Sequence, residues 1–277
     1  MARQVAESRK VAFVTGASAG IGRACADRLA AAGWAVSGAS RRGTGATTGG
    51  GWAGLVMDVN SDDGVRAGVT SVLERDGRID ALVAAAGWGV AGAAEYTSIA
   101  EAKAQFETNF WGCVRVVQAV LPQMRQQHSG RIVLISSIGG VIGIPFQAYY
   151  SASKFALEGF AEALAYEVVP FGVQVTLVQP GNVATDFTAS RLIADGAEGD
   201  LAYAEAMHRA VSLMEQDEAN GAPAERVAAV VQRVLDASRA PRRVSVGKAG
   251  ERVGLMAKRL LPFRVFEAAA KGSLGVG

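Results

Sequence analysis

Cysteine is nearly missing from this sequence: Cys25 and Cys113 stand alone among 277 residues. Two thiols cannot build a disulfide framework, and each lies in a helix-like stretch where a small buried thiol is the simpler reading. Histidine is as scarce, with only His128 and His208, so no metal site is expected from ligands this few and this scattered. The cysteine usage fits a reducing, cytoplasmic location. Aromatic residues make up 7% of the chain and charged residues 19%, against 50% hydrophobic. That balance excludes a disordered protein and leaves a large aliphatic core available. Neither sign of charge dominates. The 28 basic and 26 acidic residues leave a net +2, so no general affinity for nucleic acid is expected.

Long hydrophobic runs are absent too. The nearest approach, 132–146, is broken by Ser136, Ser137, Gly139, Gly140 and Pro145, and falls short of the ~18 apolar residues of a membrane span. The charged start (Arg3, Glu7, Arg9, Lys10) reaches the first apolar run directly, so no signal peptide is expected. Glycine, by contrast, is plentiful at 34 residues, yet it lacks the three-residue period of collagen.

What is present is a rhythm. Short aliphatic runs at 11–15, 35–39, 53–58, 80–85, 131–136, 174–178 and 243–246 alternate with amphipathic stretches at 21–32, 61–76, 99–127, 149–169 and 223–238. Runs this short and apolar read as strands buried on both faces, which is the mark of a parallel sheet. The alternation predicts one α/β domain over residues 1–250: a Rossmann fold with a doubly wound, seven-stranded parallel sheet and helices on both faces. Two segments depart from the rhythm. Residues 43–51 (GTGATTGGG) read as a loop where a βαβ unit normally has a helix. Residues 184–220 form a long insertion near the expected carboxyl edge of the sheet, either a substrate lid or a packed pair of helices.

The first strand runs straight into Thr15-Gly16-Ala17-Ser18-Ala19-Gly20-Ile21-Gly22. Strand, glycine-rich turn and helix N-terminus together present free N–H groups and a positive dipole end to a pyrophosphate. Gly16 permits the tight turn, Gly20 the approach of the phosphates and Gly22 the close packing of helix on sheet. The end of the second strand then selects the dinucleotide. An NAD site has a carboxylate there for the ribose 2′-hydroxyl; this chain reads Ser40-Arg41-Arg42. Arg41, helped by Ser40, could pair with a 2′-phosphate, so NADP(H) is the expected cofactor.

Tyr150-Ser-Ala-Ser-Lys154 puts a phenol and an ammonium at i and i+4, on one face of a helix. A phenol with a reference pKa near 10 is a poor acid–base catalyst at neutral pH, and a neighbouring cation favours its ionised form. Alone, the spacing also fits a half-buried tyrosine and a surface lysine. It is not alone. The glycine loop, Asp58-Val59, Asn109, Ser136-Ser137, Tyr150-x-x-x-Lys154 and Pro180-Gly181 occur in that order. This set resembles the short-chain dehydrogenase/reductase family over residues 10–190, and the runs 137–146 and 150–159 look most like its NADP-dependent hydroxysteroid and retinol dehydrogenase branch.

The resemblance implies roles. Tyr150 would be the general acid and base, and Lys154 would lower its pKa and hold the nicotinamide ribose. Ser137 would hold the substrate oxygen, and the Asn109 side chain or backbone would position a water for proton relay through Lys154. Asp58 and Val59 would recognise adenine, Ala86 and Gly87 would line the cofactor cleft, and Val183 and Thr185, after Pro180 and Gly181, would hold the carboxamide. Simpler readings remain beside these: Ser137 could merely end its strand, Asn109 kink its helix, and Asp58 solvate a loop. The chain departs from the family where an Asn-Ala-Gly run is usual and Ala84-Ala85-Ala86-Gly87 stands instead. Ala85 leaves any buried group that asparagine served unpaired, at ~1–3 kcal/mol, unless something compensates.

Candidate pocket residues are Trp88, Val90, Gly139, Val141, Ile142, Phe146, Phe187 and Met207. None is charged, so a hydrophobic ketone, aldehyde or alcohol is the expected substrate. The tail, 251–277, carries a net +3 together with Val253, Met256, Leu260, Leu261, Phe263 and Phe266. It is expected to be helical and to cover the pocket, pack on a partner subunit or lie on a membrane surface. The resemblance implies a homodimer or homotetramer. The expected activity is NADP(H)-dependent interconversion of a hydrophobic carbonyl and its alcohol. The rival is a non-catalytic NADP(H)-binding sensor or scaffold, whose usual mark is loss of the tyrosine or lysine.

Overall fold

A computed structural model describes residues 9–43, 51–198 and 201–273. Eleven strands and nine α-helices are found among them. In chain order they run β1 (Val11–Thr15), α1 (Gly20–Ala31), β2 (Ala35–Ser40), β3 (Ala53–Val56), α2 (Asp62–Asp76), β4 (Ala81–Ala84), β5 (Val90–Ala91), α3 (Ile99–Phe106) and α4 (Cys113–Gln126). There follow β6 (Gly130–Ile135), α5 (Ala148–Glu167), β7 (Val173–Pro180), β8 (Val183–Ala184), β9 (Leu192–Ile193), α6 (Leu201–Ala219), β10 (Ala222–Pro223), α7 (Ala224–Asp236), β11 (Arg243–Val246), α8 (Ala249–Leu260) and α9 (Phe263–Ser273).

Seven strands form one sheet in the order β11-β7-β6-β4-β1-β2-β3, and every pairing is parallel. This is the expected doubly wound Rossmann sheet. Its strands are aliphatic on both faces because helices cover both. Phe13, Leu82, Ile132 and Leu134 pack with Val116, Val120 and Leu157 on one face, while Val14, Val83 and Val133 pack with Leu29, Val227 and Val231 on the other. The strand order reverses between β1 and β4, which opens a crevice above their carboxyl ends.

Local chemistry fixes the element ends. Ser61 caps α2 by accepting from the Gly64 N–H at 3.0 Å, and Gly77 ends it in the left-handed conformation. Ser98 and Glu101 close a reciprocal capping box on α3. One expectation fails here. The helix expected across 99–127 is interrupted by a π-helical segment, Glu107–Gly112, that carries Asn109. Such inserted residues leave the ordinary hydrogen-bond ladder and recur at functional sites.

The loop expected over 43–51 and the helix expected to be missing there fall largely outside the described residues. The 184–220 insertion contains β8, β9 and the long helix α6, with β9 pairing β5 and β10 pairing β8. Among the described residues the tail region holds two helices, α8 from Ala249 and α9 to Ser273. Both cysteines are buried, and burial pushes each thiol up to about 12. They are therefore unreactive packing residues.

Candidate active site

The glycine loop leaves the buried β1 and turns into α1. Gly16 has φ +69°, and a Cβ there would lie 2.8 Å from the Ala86 nitrogen. A Cβ on Gly22 would lie 2.3 Å from the Gly16 carbonyl oxygen. Both positions admit glycine alone, so the cradle is shaped by close backbone packing. The departure at Ala85 is compensated: the Thr15 hydroxyl accepts from the Ala85 and Ala86 N–H groups at 3.2 and 3.3 Å. The end of β4 is thereby tied to β1 without the usual asparagine.

A cleft opens above this junction. It is lined by Ile21, Ala85, Gly87, Ile135, Ser136, Tyr150, Lys154, Pro180, Gly181, Val183, Thr185, Phe187 and Glu218. Eight residues expected to bind cofactor or to catalyse thus converge on one space, namely Ile21, Gly87, Tyr150, Lys154, Pro180, Gly181, Val183 and Thr185. Gly20 approaches from the phosphate loop, since a Cβ there would lie 3.4 Å from the Thr185 Cβ.

Helix α5 presents Tyr150 and Lys154 inward. Burial raises the Tyr150 pKa; a Ser137 hydrogen bond pulls it down, Glu218 raises it and Arg191 lowers it. The phenol is therefore protonated at neutral pH. Lys154 donates from Nζ to the Ile135 carbonyl at 2.9 Å, and its ammonium lies 5.9 Å from the Tyr150 ring centroid. Burial lowers its pKa to about 8, against small upward pulls from Cys113 and Glu158. Ser137 Oγ accepts from the Gly139 N–H at 2.9 Å, which orients the hydroxyl. Ser136 Oγ is buried without a protein partner, so the cleft holds a polar atom for something else to satisfy.

The Asn109 side chain is bonded to the loop after β4 and to α5. Its Oδ1 accepts from the Trp88 N–H at 3.0 Å, and its Nδ2 donates to the Trp88 carbonyl at 3.0 Å and to Ser153 Oγ at 3.3 Å. Gln105, one turn earlier, donates to the same Trp88 carbonyl at 2.6 Å and accepts from the Val90 N–H at 2.8 Å. Together they pin the strand-end loop beside Gly87. Gln105 escaped the sequence reading; the available signal was an amide at i−4 from Asn109 on a core-facing stripe.

Where the adenosine was expected, Arg41 and Arg42 are both exposed, and Arg42 donates to Ser18 Oγ at 3.1 Å across the glycine loop. Asp58 is half-buried and accepts from the Asn60 N–H at 3.0 Å, while Val59 is buried.

The pocket expectation needs correction too. Val90 and Met207 belong to a small satellite core with Ala91, Ala194 and Val211, and Trp88 and Phe146 pack against it. Phe187 does face the reactive phenol, edge-to-face at 5.8 Å. The cleft is not free of charge: Glu218 lines it, held by Thr188 and by the buried guanidinium of Arg191. Neither was visible as a pocket residue, because Glu218 and Arg191 lie 68 and 41 positions from Tyr150 and the fold of the 184–220 insertion brings them in.

Comparison with known proteins follows the geometry. The family model described as short chain dehydrogenase matches residues 10–195. A 3-ketodihydrosphingosine reductase of Bacteroides thetaiotaomicron is 38% identical over 262 residues, covering 95% of this chain and 97% of that protein. Human retinol dehydrogenase 8 is 44% identical over 136 residues, which is 49% of this chain and 43% of that protein. The crystal structure of a short-chain dehydrogenase from Streptomyces avermitilis superposes with a TM-score of 0.82 at 34% identity, over 96% of this chain and 98% of that one.

Proposed function

This chain belongs to the short-chain dehydrogenase family, whose members are oxidoreductases that bind a nicotinamide cofactor, and from that premise we propose that it interconverts a hydrophobic ketone or aldehyde and its alcohol with NADP(H). The observation that carries this reading is the convergence of Tyr150, Lys154, Gly87, Pro180, Gly181, Val183 and Thr185 on one cleft above the β1/β4 crevice.

The residues present fit the cofactor. Gly16, Gly20 and Gly22 leave a backbone cradle at a helix N-terminus for a pyrophosphate. Ser18, Ser40 and Arg42 stand where a 2′-phosphate would need donors, with Arg41 beside them, and no carboxylate ends β2. Asp58 and Val59 would border the adenine, and Ala86 and Gly87 the nicotinamide ribose. Val183 and Thr185 would hold the carboxamide. When bound, the nicotinamide supplies or accepts the hydride.

The chain's own groups manage the proton and the position. In reduction, Tyr150 Oη gives its proton to the carbonyl oxygen as negative charge develops there, and in oxidation it takes the proton back. Ser137 holds the same oxygen by hydrogen bond. The Lys154 ammonium stabilises the phenolate left after transfer. Asn109, with Gln105, fixes the loop that carries Gly87 and Trp88. Glu218 lines the cleft as half of an ion pair with Arg191, so it adds a polar wall whose charge is balanced. The Bacteroides relative is named for a 3-ketodihydrosphingosine, so a long-chain ketone of that kind heads the trial panel.

The test is NADPH consumption across long-chain, steroidal and retinoid carbonyls, with NADH as control. Turnover that prefers NADPH and one hydrophobic class supports the reading. Tight NADPH binding with no turnover on any class would overturn it.

A further inference from the structure

Helix α8 has two dissimilar faces. At about 100° per residue, Glu251 and Lys258 fall on one side and Val253, Met256 and Leu260 on the opposite one. The first side is wired to the catalytic cleft. Glu251 accepts from the Asn182 N–H at 2.8 Å and from the Lys248 N–H at 2.7 Å, and its carboxylate sits so close to Gly181 that a Cβ there would lie 2.2 Å from it. Lys258 donates to the Val141 carbonyl and lies 5.1 Å from the Phe155 ring centroid. One helix face therefore grips both the Pro180–Asn182 turn and the loop after Ser137.

The other face is left to solvent. Leu260 is 73% exposed and Phe263 69%, with Val253, Met256, Leu261 and Val265 also exposed. Arg252, Arg259 and Arg264 are exposed among them. Residues 251–277 carry +3 while the whole chain carries +2, so everything before the tail sums to −1. We propose that α8 and α9 form a docking surface for an anionic lipid bilayer, with the apolar side chains entering the acyl boundary and the arginines meeting the headgroups.

The charge distribution selects this occupant. A second copy of the chain meeting this face about a twofold axis would bring two tails of net +3 together, like charge against like. An anionic surface neutralises them. No helix among the described residues is long and apolar enough to cross a membrane, and the face needs only to lie on one. Docking there would leave α8 between the lipid and the loop after Ser137 that Lys258 holds. The proposal goes beyond the proposed activity and stands without it, because its readout is binding.

The experiment sediments the full-length protein with vesicles of pure phosphatidylcholine or of phosphatidylcholine with phosphatidylglycerol. The expected result is at least ten-fold tighter binding to the anionic vesicles, weakened by added salt. Replacing Arg252, Arg259 and Arg264 together by Gln should cost roughly five-fold per cation. A Val253→Ser/Met256→Ser/Leu260→Ser variant should abolish binding. Both variants keep Glu251 and Lys258, and unchanged NADPH affinity shows that each has folded. Absence of binding to either vesicle, or equal binding to both, would overturn the proposal. So would a serine variant that changes the oligomer in solution while the parent ignores vesicles, since the face would then belong to a second copy.

Discussion

At the nicotinamide end of the cleft, Tyr150 and Lys154 are 8% and 6% exposed, Lys154 is hydrogen-bonded to Ile135, and the Gly181 turn is clamped by Glu251. At the adenosine end, Arg41 and Arg42 are both exposed, and the single bond from Arg42 to Ser18 spans the phosphate loop. The contrast follows from what each end has to do. A proton donor must hold its position while charge develops, and burial makes its electrostatics strong. A phosphate selector needs only a cation within reach, and an exposed guanidinium supplies it. On the proposed function, chemistry is built into the core and cofactor preference is added at the rim.

Substitutions at the two ends should separate accordingly. Tyr150→Phe should carry the largest effect, a loss of about 10²- to 10⁴-fold in kcat. Lys154→Met should cost a similar order in turnover and, unlike the tyrosine variant, should raise stability. Burial lowers the Lys154 pKa from 10.5 to about 8, so the unfolded chain binds the proton more tightly between those values. The penalty, up to about 3 kcal/mol, is fully present below pH 8 and fades as pH rises toward 10.5. Thermal unfolding should therefore show Lys154→Met above the parent at pH 7, with the gap closing by pH 10. A gap that widens with pH would show the sign to be wrong.

At the rim, Arg42→Gln should raise the KM for NADPH by roughly ten-fold or more and leave that for NADH unchanged. Arg41→Gln should do less, and the reverse ranking would return the selector role to Arg41. The smallest effect is expected at Glu251→Gln. It keeps the shape but replaces a charged acceptor at Asn182, so a few-fold rise in KM for NADPH with little change in kcat is anticipated. An equal fall in kcat would place Glu251 closer to the chemistry than its geometry does.

The sheet was legible because its five inner strands are buried on both faces and their apolar runs have no competing explanation. Strand ends moved by only a residue or two, as β6 at Gly130–Ile135 against 131–136 shows. The glycine loop, Tyr150 and Lys154 were legible because local backbone geometry fixes their spacing. What escaped is what the chain assembles at a distance. The π-helical segment at Asn109 differs from an ordinary turn by one residue of register, which hydrophobic periodicity does not record. Choosing between Arg41 and Arg42 depends on which side of a strand end faces the loop. Glu218 reaches the cleft from α6 and Glu251 reaches the Gly181–Asn182 turn from α8, and nothing in their neighbourhoods marks them.

The most direct test is single-turnover reduction of a hydrophobic ketone by the parent and Tyr150→Phe, each saturated with NADPH of measured affinity. The account predicts unchanged nucleotide affinity with the reduction step slowed at least a hundred-fold. A phenylalanine variant that binds NADPH equally and reduces the ketone within a few-fold of the parent would contradict it.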